Sequence, residues 1–219
     1  MMRAACAIVT LLSLALPSSA WASGALLDGG PRRIVTERPS RRLVRQQARA
    51  PLQRNPALLT ITELPLDASY ENRDFGLALR YPSAWLHQDV MERSPPLTLV
   101  MMFLSGLSES GIRQNVNLVI EDLPHELSLD EYTELGIETE RELFEEFVVV
   151  DSVDIPFLGS ERAHRIIFTA PSNGRAMAFA QLWIIRGKRA FVWTFADAAE
   201  TFTKNYPTFE RMMDTLTMR

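Results

Sequence analysis

A segment near the C-terminus of the chain, residues 175–185, predicts a β-strand that is apolar on both faces. One side carries large apolar residues and the other alanines and aliphatic residues: Met177, Phe179, Trp183 and Ile185 against Ala176, Ala178, Ala180, Leu182 and Ile184. The next predicted strand, 189–196, has the same two-faced character. Such a sheet must be covered on both faces. We therefore predict an α+β fold, an α/β/α sandwich with helices on both faces of a mainly antiparallel sheet.

Alternating apolar positions predict further strands at 75–81, 86–91, 97–104, 115–121 and 161–170. The turns at 171–174 and 186–188 each contain glycine and are short, which is typical of antiparallel hairpins. A polar connection rich in Gly and Ser is expected at 105–113.

Two helices are expected to cover this sheet. Ser128 and Glu131 form the pattern of a capping box, which predicts a helix from Ser128 to about Phe147. Its apolar side is expected to carry Tyr132, Leu135, Leu143 and Phe147, and its acidic side to face water. A second helix is predicted at 206–216, with Pro207 in its first turn and Asn205 as a possible cap.

The N-terminus predicts an exported protein. Residues 1–22 have the pattern of a secretory signal peptide, with Arg3, a ten-residue apolar run at 7–16 and a small-x-small cleavage site. Retention as an uncleaved N-terminal anchor is the alternative. Cys6, the only cysteine, lies inside this segment, so cleavage would leave no disulfide. The predicted organisation is a signal peptide at 1–22, a linker at 23–60 and one domain at 61–219.

The linker at 23–60 is basic, whereas the domain is acidic. Residues 24–54 contain eight arginines and two acidic residues, a net charge of +6, and residues 55–219 contain 14 basic and 25 acidic residues, a net charge of −11. With four prolines and few aromatic residues, the linker is expected to be flexible. An arginine-rich arm could contact anionic lipid headgroups or an acidic partner, or serve as a solubilising tether. A nucleic-acid partner is not expected, because the arginines are not interleaved with aromatic residues.

The sequence contains one loose candidate metal site and no catalytic motif. Glu121, Asp122, His125 and Glu126 lie close together in sequence and offer oxygen and nitrogen ligands. A solvated loop is the alternative interpretation. The three histidines lack zinc-ligand spacing, and neither G-x-S-x-G nor a glycine-rich phosphate loop is present. The residues therefore predict neither an enzyme nor a bound cofactor.

A run of glutamates follows residue 126 and predicts an acidic helix surface. Such a run is usually a solvated face, but a surface of one sign can also steer a basic partner. We predict that Glu138, Glu142 and Glu145 make partner contacts on this surface. We predict that Arg41, Arg42 and Arg45 make contacts from the arm.

The domain resembles the PsbP-like family, which includes the extrinsic photosystem II PsbP proteins and the Mog1- and DcrB-type proteins. The matching features are Y-x-x-x-x-F-G-x-x-x-x-Y-P-x-x-W at 70–85, N-L-V-I-E at 117–121, S-L-x-E-Y at 128–132 and A-Q-L-W-I-I-R-G at 180–187. Their order and spacing cover about 150 residues.

The resemblance implies an α/β/α sandwich and a protein that is not an enzyme. Photosynthetic members stabilise the calcium- and chloride-dependent manganese site of photosystem II, and other bacterial members are exported envelope proteins. It thus implies a periplasmic accessory protein of a membrane complex, or a thylakoid-lumen protein in a photosynthetic organism. A factor that helps to retain calcium or manganese is the alternative, and a hydrolase with an unrecognised site is a remote one. No functional residue is carried over from the family.

Overall fold

The computed structural model describes residues 64–108 and 111–219. The predicted signal peptide, the linker and the three arm arginines lie outside these residues. In chain order the elements are β1 (Ala68–Asn72), β2 (Leu77–Tyr81), β3 (Leu86–Ser94), β4 (Leu97–Leu107), β5 (Arg113–Asp122), α1 (Leu129–Leu143), β6 (Val148–Phe157), β7 (Glu161–Ser172), β8 (Arg175–Arg186), β9 (Arg189–Ala198), α2 (Phe202–Asp214) and β10 (Thr217–Met218).

A seven-stranded sheet forms the centre of the fold, in the order β3-β4-β5-β9-β8-β7-β6. All its neighbouring strands are antiparallel. Helix α1 covers one face, where Trp183 and Phe179 are buried, and α2 lies with a small sheet, β1-β2-β10, on the other, where Trp193 and Phe195 are buried. The two-faced strands β8 and β9 therefore lie between two apolar layers. This confirms the predicted α+β sandwich.

Helix α1 begins as the sequence predicts but ends early. The Ser128 side chain and Glu131 form both hydrogen bonds of the capping box. The helix ends at Leu143, four residues before the predicted end, and the predicted apolar face was wrong in two positions. Leu135 and Leu143 are 38% and 49% exposed. The helix instead buries Tyr132, Gly136 and Glu140, which recur every four residues and so share one face.

Helix α2 begins four residues before the predicted start, at Phe202. Pro207 therefore lies inside the helix rather than in its first turn, and Asn205 is not the cap. The Asn205 side chain instead donates a 2.8 Å hydrogen bond to the buried carboxylate of Asp197. Phe209 stacks on Phe195 with ring centroids 5.7 Å apart, so apolar packing against β9 outweighs the hydrogen bond that proline removes.

Three strands, β1, β6 and β10, were not predicted from the sequence, and β3 extends three residues beyond its predicted end. The signal for β6 was present in the β-branched run Val148–Val150, which followed a helix predicted to be too long. Within the described residues, no helix combines the length and hydropathy that crossing a bilayer requires.

Candidate interaction surface

The acidic surface predicted from the sequence forms at the C-terminal half of α1. Glu138 and Glu142 are one helical turn apart and exposed, and Glu145 is exposed in the turn after the helix. We call these three residues the acidic row. Glu142 also interacts with another group of the protein. The structure thus brings the three predicted glutamates to one end of one helix.

Aromatic packing fixes the turn that joins α1 to β6. Phe144 and Phe147 pack on Phe168 with ring centroids 5.6 and 5.0 Å apart. Glu146, between them, has φ +56°, a left-handed backbone that reverses the chain direction. Because the two phenylalanines point into the core, Glu145 and Glu146 are left exposed directly before the strand.

The strand that follows carries exposed valines at the edge of the seven-stranded sheet. Val148, Val149, Val150 and Val153 are 55%, 37%, 63% and 38% exposed, and we call these four residues the valine edge. Strand β6 is last in the strand order and pairs with β7. An edge strand presents unpaired N–H and C=O groups beside its side chains. Within residues 64–108 and 111–219 no strand pairs with the outer side of β6. The valine edge thus combines apolar side chains with main-chain groups that no described strand occupies.

Polar contacts hold the second half of β6 in place. On the α2 side, Asp151 accepts a 2.7 Å hydrogen bond from Arg165, which also lies 3.7 Å from Glu210 of α2. On the α1 side, Asp154 contacts both His164 and Arg162. The His164 hydrogen bond, followed by that of Arg162, holds the pKa of Asp154 below its usual range. Ion pairs on both faces therefore anchor β6 to the domain.

His164 also links Asp154 to a serine. The Ser152 Oγ lies 3.0 Å from His164 Nε2, and His164 Nδ1 lies 2.7 Å from Asp154 Oδ1. This is the order of nucleophile, base and orienting carboxylate in a catalytic triad. Two cavities, of about 390 and 290 Å³, are lined by other residues. The observed network spans β6 and β7 and positions the edge strand.

A buried polar group lies beneath α1. Glu140, 1% exposed, accepts a 3.1 Å hydrogen bond from Gln181, whose Oε1 accepts one of 2.7 Å from the Trp183 indole. Burial raises the pKa of Glu140 to about 8, and the Gln181 hydrogen bond only partly opposes this effect. The run of glutamates that the sequence predicts to face solvent includes Glu140. That prediction was wrong for Glu140, because its position shares the helix face of Tyr132 and Gly136.

The four predicted metal ligands do not assemble. Glu121 is buried and accepts a 2.9 Å hydrogen bond from the Tyr132 hydroxyl. Asp122, the next residue on β5, accepts a 3.1 Å hydrogen bond from Arg189 Nε. Its side chain therefore points to the opposite face from that of Glu121, because successive strand residues alternate between faces. The described parts of the chain hold no group of three or more His, Cys, Asp or Glu placed to bind a metal ion. The residues at 121, 122, 125 and 126 therefore do not fit calcium or manganese in this arrangement.

Comparison with known proteins adds the fold relationship. No family model matches the chain, and no curated protein matches it significantly. Among solved structures, it is similar to PA94 of Pseudomonas aeruginosa, a protein of unknown function and putative regulator (TM-score 0.52, 16% identity, 69% of this chain and 96% of that one). It is also similar to the cyanobacterial PsbP of Synechocystis (TM-score 0.51, 12% identity, 69% and 92%). At these identities the likeness concerns the fold alone. The chain has a PsbP-like fold, as its sequence predicted.

Proposed function

We propose that the protein is an exported, non-catalytic accessory protein that binds a protein partner at an envelope or membrane complex. The observation that carries this proposal is that the exposed acidic row leads, through the short turn after α1, into the exposed valine edge. Charge of one sign beside exposed apolar side chains is typical of a surface that another protein covers. The PsbP-like fold supports an accessory role in general terms.

The arginine-rich arm completes the proposed mode of binding. Arg41, Arg42 and Arg45 belong to a segment of net charge +6, opposite in sign to the domain. We propose that they contact an acidic partner or the anionic surface of a membrane, at about 1 kcal/mol per basic residue near such a surface. Periplasm, or the thylakoid lumen in a photosynthetic organism, is the proposed location.

Charge-neutral variants of the two surfaces test the proposal. We expect Arg41→Gln/Arg42→Gln/Arg45→Gln and Glu138→Gln/Glu142→Gln/Glu145→Gln each to reduce co-purification of the partner with the tagged full chain from envelope extract. The loss should be greatest at low salt, because exposed charges are screened over about 10 Å at 0.1 M. Mass spectrometry of the captured proteins is the measurement.

The control for these variants is the exposed pair Glu71 and Arg73, which lie 3.5 Å apart at the end of β1. Glu71→Gln/Arg73→Gln also removes exposed charges but leaves the acidic row and the arm unchanged. Retention of the partner by all three variants would contradict the proposal.

An active-site probe tests the absence of catalysis. We expect a fluorophosphonate to label Ser152 no more than Ser172, the half-buried serine at the end of β7. A serine nucleophile needs donors preorganised for the developing oxyanion as well as a base, and Ser152 is exposed on an edge strand. Peptide mapping after labelling is the measurement. Selective labelling of Ser152 that His164→Asn abolishes would establish a hydrolase instead.

A further inference from the structure

We propose that the first half of β6 is a docking strand, to which an extended, basic segment of the partner adds as an eighth strand of the sheet. This proposal rests on the accessory function above and specifies the chemistry of the partner. Strand addition provides affinity through main-chain hydrogen bonds and specificity through alternate side chains. Three features of the domain support it: the packing of residues 148–153, their neighbours on α1 and the opposite edge of the same sheet.

The two halves of β6 differ in how they are protected. Proteins shield edge strands with charged residues, proline and bulges. From Asp151 onwards β6 has two of these, since Asp151 and Asp154 are ion-paired and Pro156 lacks an N–H. The preceding stretch has three consecutive exposed valines, no charged residue and no proline, and its only irregularity is the register shift between Val149 and Asp151. The stretch without charge or proline is therefore Val148–Val150.

The other edge of the sheet, β3, shows what protection looks like in this protein. Its register shifts between Asp89 and Glu92, which marks a bulge. Four of its nine residues have ionisable side chains and lie within or near that bulge: His87, Asp89, Glu92 and Arg93. His87 and Asp89 lie 3.4 Å apart. One edge is thus blocked by a charged bulge, whereas the other begins with valines.

The valine edge offers apolar contacts on both faces of the sheet. Val149 is opposite Phe168, which packs under α1, and Val148 is opposite Thr169 on the other face. Val153 is opposite Arg165, whose side chain reaches α2, so it shares the face of Val148. A strand laid alongside would cover Val148 and Val153 with one set of its side chains. Its alternate set would lie beside Val149 and the end of α1.

Charge selects a basic occupant over a second copy of this chain. Glu145 and Glu146 immediately precede the strand, and Arg141 is the single basic residue from 134 to 150. An antiparallel pair of two β6 strands centred on Val149 would place Glu145 and Glu146 of one copy opposite Val153 and Ser152 of the other, and so beside Asp154 and Asp151. Like charges brought this close destabilise strand pairing. A segment that alternates Arg or Lys with apolar residues meets both the acids and the valines.

Peptide binding to the full chain tests this directly. The probe is a fluorescent peptide of about ten residues that alternates arginine with valine and threonine, and the matched control peptide has glutamate in place of arginine. We expect the basic peptide to bind at low salt and the acidic one not to bind. Val150→Glu should weaken binding at least about tenfold although it adds a negative charge. Leu86→Glu, at the exposed start of β3, should leave binding unchanged.

Amide hydrogen exchange locates the bound peptide. We expect new protection in residues 148–153 and none in β3. Equal binding by Val150→Glu, or no new protection in β6, would overturn the docking strand. If β6 is already protected in the free chain and loses this protection when residues 23–60 are deleted, the occupant is the chain's own arm and the proposal is wrong. If the protein dimerises and Val150→Glu abolishes dimerisation, the occupant is a second copy and the proposal is also wrong. If Val150→Glu still captures the partner from envelope extract but the acidic-row variant does not, the accessory function is supported and the docking strand is excluded.

Discussion

Glu140→Gln is expected to remove a large pH dependence from the folding stability of the protein. The wild-type free energy of unfolding should fall by about 4 kcal/mol between pH 5 and pH 9 because of this one carboxyl group. The variant should not show that component. The two stability curves are therefore expected to cross, with the wild type more stable at pH 5 and the variant more stable at pH 9.

The direction follows from the two pKa values of Glu140. Burial raises its pKa to about 8 in the folded protein, from the ordinary glutamate value of 4.5 that applies in the unfolded chain. Below pH 4.5 the group is protonated in both the folded and the unfolded state, and its contribution to the free energy of unfolding is fully present. As the pH rises from 4.5 to 8, the unfolded chain releases the proton while the folded protein retains it. Stability is therefore lost progressively across this window and stays low above it.

Glutamine matches the protonated side chain in shape and keeps an acceptor for Gln181. Its amide nitrogen would take the place of Oε2, which has no hydrogen-bond partner within the described residues. The protonated carboxyl has one O–H donor, whereas the amide has two N–H donors, so the variant buries one additional unpaired donor. Such a donor costs about 1–3 kcal/mol, which explains the expected disadvantage at pH 5. Since Glu140 holds the buried side of α1, its ionisation should also loosen the helix that carries the acidic row.

Urea unfolding of the full chain at pH 5, 7 and 9, followed by tryptophan fluorescence, measures the effect. The control is Glu134→Gln on the exposed side of the same helix, which should run parallel to the wild type at each pH. Parallel curves for Glu140→Gln and the wild type would show that Glu140 does not retain its proton.

The sandwich was predictable because β8 and β9 report both of its faces. Residues 175–185 alternate between two apolar sets, one of which packs in the layer of α1 and the other in the layer of α2. The N-terminus of α1 was equally predictable, since a capping box uses residues three apart in sequence. In both cases the determining information is local, so a single sequence contains it.

The candidate site was only partly predictable, because its main features depend on tertiary contacts. The acidic row was found, since exposed glutamates need no partner to be identified. Glu140 was misplaced because its burial depends on Gln181, 41 positions away. The valine edge was missed because the sequence of Val148–Val150 does not indicate that β6 lies last in the strand order. Edge position is a property of topology and not of the strand itself.

Gly136→Ala is expected to destabilise the wild type but not a Trp183→Phe background. A Cβ at position 136 would lie 2.7 Å from Cη2 and 2.9 Å from Cζ3 of the Trp183 indole. That ring is fully buried and its Nε1 donates to Gln181, so it cannot move aside. Overpacking of this kind costs about 1–3 kcal/mol. Alanine would at the same time favour the helix by up to about 1 kcal/mol. Net destabilisation is expected, because the steric cost exceeds the helix propensity.

Trp183→Phe removes the outer indole atoms that a Cβ would meet, and thus reverses the sign of the second substitution. In that background Gly136→Ala should be neutral or stabilise by up to about 1 kcal/mol, since only the helix propensity remains. A double-mutant cycle on urea unfolding measures the coupling, expected at about 1–3 kcal/mol. Gly106→Ala, where a Cβ would meet nothing within 4 Å, should show no coupling to Trp183→Phe. Equal effects of Gly136→Ala in both backgrounds would mean that α1 does not rest on the indole, and that Gly136 does not set the distance between the helix and the sheet.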